Sequence, residues 1–149
     1  MINNLLENAY EVDPAKIDKE IINMINSSNL NDKQKLAVFL SLIRNFTIIS
    51  GGPGTGKTYL IFWLLKVLIK HGFDAERIRL AAPTGRAAER LTESIKRLLQ
   101  NEDDKTGEKL ISIEGETIHR LLKYSSYKND FAYNENSNLP LDVLIIDEV

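Results

Sequence analysis

Gly51-Gly52-Pro53-Gly54-Thr55-Gly56-Lys57-Thr58 is the stretch whose reading decides the fold. Its spacing is G-x-x-x-x-G-K-[ST], and each residue type in it has a physical reason. A polyphosphate needs many donors close together. Backbone N–H groups supply them where no Cβ intrudes, and glycine also permits positive φ. Gly52, Pro53, Gly54, Thr55 and Gly56 would form the cradle, and the N-terminus of a following helix adds partial positive charge. Lys57 is a mobile point charge for the β- and γ-phosphates, and its catalytic part is charge neutralisation there. The Thr58 hydroxyl is placed to ligate Mg²⁺, which prefers oxygen ligands. The pattern calls for a strand before it and a helix after it. Residues 46–50 read as a short buried strand, and residues 59–70 read as a helix buried on most sides.

A chain of 149 residues is expected to form one domain or one incomplete domain. With no cysteine, it holds no disulfide, thiolate zinc site or iron–sulfur cluster, and it fits a reducing compartment. The first residues lack a signal-peptide pattern. The most apolar stretch, 60–69, contains Lys66 and is too short for a bilayer, so a cytoplasmic protein without membrane contact is expected. The net charge of −2 gives no bulk attraction for nucleic acid, so any such binding must come from local residues.

Outward from the loop, residues 1–30 read as a helical segment. Asp13-Pro14 looks like a cap, and Ile17, Ile21, Met24 and Ile25 share a face. Asn31 is expected to cap a helix over 32–44, with Leu36, Phe39, Leu40 and Ile43 inward. Gln34 lies in its first turn. An amide there can read adenine, since it both donates and accepts, although spacing alone favours a solvated polar residue. Downstream, 78–82 reads as a strand, 83–85 as a turn and 86–100 as a helix with Ala87, Leu91, Ile95 and Leu98 on one side. Two strand–turn–helix units in succession predict a parallel sheet, with ligands at the carboxyl ends of its strands. Thr84, Gly85 and Arg86 then lie on the same edge as the glycine loop.

Residues 101–107 read as a polar loop, and 110–113 as a strand or a connection. Residues 117–122 read as a short helix capped by Thr117, and 124–138 as a surface insertion, in part disordered. The apolar run from Leu141 predicts a strand buried on both faces, ending in Asp147-Glu148. Asp147 would hold Mg²⁺, and Glu148 would orient and deprotonate the attacking water. This acid pair points to a motor-type ATPase rather than a small-molecule kinase or GTPase. In such motors one strand separates the acid strand from the loop strand, and 78–82 is available for that place.

Four segments now stand in order: 50–58, Leu80-Ala81-Ala82-Pro83-Thr84-Gly85-Arg86-Ala87-Ala88, Thr117-Ile118-His119-Arg120-Leu121-Leu122, and 141–148. Together they resemble the first motor domain of the exodeoxyribonuclease V alpha subunit (RecD) family of superfamily 1 DNA helicases, over about residues 31–149. The second and third segments carry most of the specificity. The resemblance implies an α/β P-loop NTPase (RecA-like) three-layer fold with a mainly parallel sheet. It implies ATP and Mg²⁺ as cofactors and 5′→3′ translocation on single-stranded DNA. It also implies two further subunits of the exodeoxyribonuclease V complex, in recombinational repair. Carried over by position, Gln34 becomes the adenine reader, reversing the preference from spacing. Pro83, Thr84 and Arg86 fall in a motif that touches the DNA backbone, and Thr117 and His119 in a second DNA-side segment. His119 reads equally as a packed histidine.

Tyr59 departs from the family's small residue, which should alter packing and not chemistry. Val149 departs from the small residue that usually follows the acid pair. Because the sequence stops there, the expectation is a fold incomplete at its C-terminus. It would lack a second motor domain and an arginine finger worth about 10³–10⁵ in rate, so this chain alone would bind Mg·ATP and hydrolyse it poorly. The alternative is a nucleotide-binding module of another motor-type P-loop ATPase acting on DNA.

Overall fold

Ile17, Ile21 and Ile25 recur at helical spacing, and all three are buried along one side of α1 (Lys19–Ser27). Asp18 caps α1 by accepting from the Glu20 N–H at 2.9 Å. The computed structural model describes residues 17–100, 105–127 and 129–147. Asp13, Pro14, Glu148 and Val149 therefore lie outside the described residues. The chain forms two units, Met1–Gly72 and Phe73–Val149.

In the first unit, α1 is followed by α2 (Asp32–Ile43) and α3 (Lys57–Lys70), and each of the three packs on the other two. In α2 the inward face differs from the expected one. Val38 is fully buried, whereas Leu36 is 56% exposed. Residues 36–40 are all apolar, so periodicity could not choose a face. α3 is buried nearly all round, from Leu60 through Ile69, Lys66 included. Lys66 keeps its ammonium over the rings of Trp63 at 4.9 Å and Phe62 at 5.6 Å, which offsets part of the cost of burying a charge. Gly72, at φ +99°, ends the helix as expected.

The strand expected over 46–50 does not form. These residues pair with no described segment, Ile48 is 78% exposed, and the buried Thr47 hydroxyl has no hydrogen-bond partner. A strand exists only through a neighbour's backbone groups, and a parallel strand also needs both faces covered.

The second unit is an α/β structure built on a parallel sheet. Its strands are β1 (Ile78–Ala82), β2 (Gly115–Thr117) and β5 (Val143–Ile146), in the order β2-β1-β5. Residues 80–82 pair with 115–117, and 78–81 with 143–146. Both edges of β1 are thus filled from within its own unit. That overturns the idea that 78–82 stands between the acid strand and the strand of the glycine loop. β5 is also not buried on both faces: Leu144 and Ile146 are 37% and 41% exposed.

Between β1 and β2 run α4 (Gly85–Leu99) and α5 (Lys105–Ile111). The polar loop expected over 101–107 is thus helical from Lys105, and 110–113 is helix end and connection rather than strand. α4 buries Ala87, Ala88, Leu91, Ile95 and Leu99, with Leu99 taking the place expected for Leu98. It lies close on β2. A Cβ on Gly115 would stand 2.8 Å from the Ala88 carbonyl oxygen, and the Gly115 N–H donates to Thr92 Oγ1 at 2.8 Å. After β2 come α6 (Ile118–Leu121) and a hairpin of β3 (Tyr124–Ser125) and β4 (Asp130–Phe131), so the 124–138 stretch holds ordered structure.

Candidate functional site

In the first unit, the candidate site is the glycine loop and the start of α2. Gly54 and Gly56 hold φ values of +73° and +79°, where a side chain would be strained. A Cβ on Gly51 would lie 2.7 Å from Thr55 Oγ1, so a side chain there would displace the Thr55 hydroxyl. Thr55 closes the turn by donating its hydroxyl to the Gly52 carbonyl at 2.8 Å. Lys57 Nζ donates to the Gly51 and Gly52 carbonyls at 2.8 and 3.2 Å, so the charge sits against the loop itself. Lys57 and Thr58 open α3, whose first N–H groups have no side-chain cap because the N-cap residue is Gly56. These groups fit a polyphosphate with its metal ion: donors along the loop, a cation beside them and a hydroxyl at the helix start. Tyr59 turns its ring onto Phe62, with centroids 6.3 Å apart, as a packing role requires.

Gln34 belongs to this constellation. Its Oε1 accepts from the Asn31 N–H at 3.0 Å, and its backbone N–H donates to Asn31 Oδ1 at 3.0 Å, a reciprocal capping box. Its Nε2 donates to the Thr55 carbonyl at 3.0 Å. The residue that spacing alone would leave solvated is therefore tied to the loop. Asn31 holds that side chain in place, a role not assigned from the sequence. The signal was available in Asn31-x-x-Gln34, a capping-box spacing.

In the second unit, the residues singled out from the sequence lie at the carboxyl edge of the sheet. The register sets Thr117 opposite Ala82, so the turns that follow β1 and β2 are neighbours. Pro83, Thr84 and Arg86 are exposed there, above a small-residue cluster of Ala82, Ala87 and Ala88. Thr84 Oγ1 accepts from the Ala87 N–H, and Thr117 Oγ1 from the Arg120 N–H, each at 3.2 Å. His119 packs its ring against Tyr124 at 5.7 Å and Phe131 at 5.8 Å, while remaining exposed. Asp147 follows β5 on the same edge, its N–H donating to the Ala81 carbonyl at 2.9 Å. Among the described residues no group of three metal-ligating side chains occurs.

At the opposite end of the sheet, Arg77 grips Asp142 with two bonds, Nε to Oδ2 at 2.8 Å and Nη2 to Oδ1 at 2.7 Å. This pairing holds the Asp142 carboxyl below its ordinary value, and the Arg77 guanidinium above its own. Lys96 does the same to Glu114 across α4 and the approach to β2, at 2.7 Å.

The sequence model of the AAA domain matches residues 34–149. The chain is 39% identical to the RecBCD enzyme subunit RecD of Buchnera aphidicola subsp. Schizaphis graminum, over 97% of this chain and 25% of that protein. It is 42% identical to RecD of Haemophilus influenzae, over 78% of this chain and 19% of that protein. For RecD of Mycolicibacterium smegmatis the figures are 35%, 78% and 22%. The chain thus spans about a quarter or less of the length of these relatives. Among the described residues no helix is long and apolar enough to cross a membrane. With its model matched over most of the sequence, and with RecD subunits as relatives over most of it too, the chain belongs to the AAA domain family, on the RecD side that the segments at 80–88 and 117–122 indicated.

Proposed function

We propose that this chain is the nucleotide-binding part of the first motor domain, residues 31–149, of an ATP-driven DNA helicase subunit. The observation that carries this is the built phosphate loop. Lys57 bonds the Gly51 and Gly52 carbonyls, Gln34 bonds the Thr55 carbonyl, and Gly54 and Gly56 hold positive φ between them. In this reading the backbone of Gly52, Pro53, Gly54, Thr55 and Gly56 holds the phosphates, Lys57 neutralises charge on them, and Gln34 reads the adenine. Thr58 and Asp147 each offer an oxygen to Mg²⁺, whose chemistry when bound is charge neutralisation on the phosphates. Glu148 takes the proton from the attacking water. Pro83, Thr84, Arg86, Thr117 and His119 face single-stranded DNA, with the Thr84 hydroxyl and the Arg86 guanidinium on phosphates. By likeness to the named relatives, the partners are the other subunits of a RecBCD-type complex, and the motif resemblance implies travel in the 5′→3′ direction. Turnover needs groups from a second motor domain, so this segment by itself binds Mg·ATP with little hydrolysis.

The test is DNA-stimulated ATPase of the full-length protein. Lys57→Ala should abolish it, and retained activity would overturn the assignment. The second reading, a nucleotide module of another motor-type ATPase acting on DNA, shares the loop chemistry. It is favoured if Lys57→Ala abolishes ATPase while strand separation is absent from the wild type.

A further inference from the structure

The side-chain amide of Gln34 is held at both ends, and by main chain at each. Its Oε1 accepts from the Asn31 N–H and its Nε2 donates to the Thr55 carbonyl, each at 3.0 Å. Amide oxygen and nitrogen are therefore not interchangeable here. A flipped amide would set its NH2 against the Asn31 N–H and its oxygen against the Thr55 carbonyl, losing both bonds. Gly56 leaves room for this orientation, since a Cβ there would stand 3.1 Å from Gln34 Nε2. The end at Asn31 depends on that residue's own side chain. Asn31 Oδ1 accepts from the Gln34 backbone N–H at 3.0 Å, which draws the first turn of α2 back over the Asn31 N–H. The same turn is fastened from two sides. Leu30, just ahead of it, is buried, and Lys35 Nζ donates to the Asn26 carbonyl of α1 at 2.7 Å.

We infer that Asn31 is a positioning residue for base selection: by fixing which way the Gln34 amide faces, it favours adenine over guanine. The inference rests on the adenine-reading role proposed for Gln34. A primary amide carries two N–H donors on nitrogen and two lone pairs on oxygen. In this reading Thr55 and Asn31 take one of each, and the base meets the remaining donor and lone pair. Adenine presents the complement of that pair, the N6–H donor beside the N7 acceptor. Guanine sets the O6 acceptor in the place of N6–H, so oxygen would face oxygen. The amide could meet guanine's two acceptors only with both of its N–H groups, and that requires giving up the Thr55 carbonyl. A site held to one hydrogen-bond pattern rejects the other because its own groups are left unpaired. Loss of the Asn31 side chain loosens the first turn, frees the amide to swing, and removes that penalty.

The experiment is steady-state hydrolysis of ATP and of GTP by the full-length protein with single-stranded DNA, compared as the ratio of the two kcat/KM values. Asn31→Ala should raise KM for ATP, leave kcat near wild type and lower the ATP:GTP ratio by roughly fivefold, the lower end of what a bidentate base contact is worth. Asn31→Ser keeps a capping oxygen and should keep the ratio. Asn31→Gly should lower the ratio as Asn31→Ala does, while its melting temperature stays close to wild type, because glycine is tolerated at a helix cap. A cap that served stability alone would move the melting temperature and leave the ratio where it was. In a Gln34→Ala background, Asn31→Ala should change the ratio no further. An unchanged ratio in Asn31→Ala and Asn31→Gly, beside a lowered ratio in Gln34→Ala, would overturn the positioning role and leave adenine reading by Gln34 standing. An unchanged ratio in Gln34→Ala would overturn both. A further fall in the double variant would also overturn the inference, since Asn31 would then act on the base by another route.

Discussion

Thr84 and Thr117 each use the hydroxyl oxygen to cap a helix, which leaves the hydroxyl proton available to donate outward. A cap and a phosphate contact can therefore coexist in one side chain, and substitutions can separate them. Thr84→Asp keeps a capping oxygen but sets a negative charge where a phosphate would lie. We expect its melting temperature to stay near wild type and its affinity for single-stranded DNA to fall. Thr84→Val loses the cap as well, at a cost of about 1 kcal/mol in stability. Thermal melts beside anisotropy titrations check this, and wild-type affinity in Thr84→Asp would remove phosphate from this position. Gln34 shows a similar economy: one amide completes the capping box and bonds the Thr55 carbonyl, and the proposed adenine contact would use its second N–H. Gln34→Ala should raise KM for ATP by about two- to tenfold, the worth of one hydrogen bond. Its effect on KM for GTP should be smaller. Steady-state kinetics with both nucleotides decides, and equal effects would limit Gln34 to the loop contact.

β5 has four residues, and its register against β1 fixes where Asp147 falls. A slip of one residue would turn each of its side chains to the other face. The Arg77–Asp142 pair holds the opposite end of the same two strands. Its pH dependence follows from the depressed Asp142 carboxyl. The stability it contributes is present above the ordinary Asp value of 3.8 and is lost as pH falls through the lower folded value. Melting temperatures of wild type and Asp142→Asn should thus differ at neutral pH and converge in acid. Because the pair is exposed, the difference should also shrink with added salt. A gap that persists at pH well below the depressed folded value would assign it to something other than this ion pair. On the other side of β1, Thr92 donates to the Ala88 carbonyl at 2.9 Å and accepts from the Gly115 N–H. Thr92→Val would leave that N–H without its partner and should cost about 1–3 kcal/mol, readable by denaturant melts. A cost near zero would show that water replaces the hydroxyl.

At the scale of the molecule, what the sequence made legible was local. The spacing of Gly51 to Thr58 specified a loop whose backbone the structure reproduces, and 78–82 and 117–122 carried their own strand and cap signals. Face and neighbour were harder to read. The uniform apolar run at 36–40 hid Val38, and the apolar run at 46–50 carried no information about a pairing partner. The strand neighbours of β1 emerged only from long-range pairing. Charge is the other property that belongs to the whole chain. A net charge of −2 supplies no general attraction for DNA, so the binding proposed for this segment would rest on local cations. Binding to a single strand releases counterions in proportion to the phosphates neutralised, with a slope in log salt of about −0.7 for each. With Arg86, Arg120 and Lys123 as the candidate cations near that edge, the slope should be shallow, about −2. Arg86→Gln should reduce its magnitude by about 0.7 and weaken all sequences alike. A wild-type slope several times steeper would mean that the principal DNA-binding cations lie elsewhere.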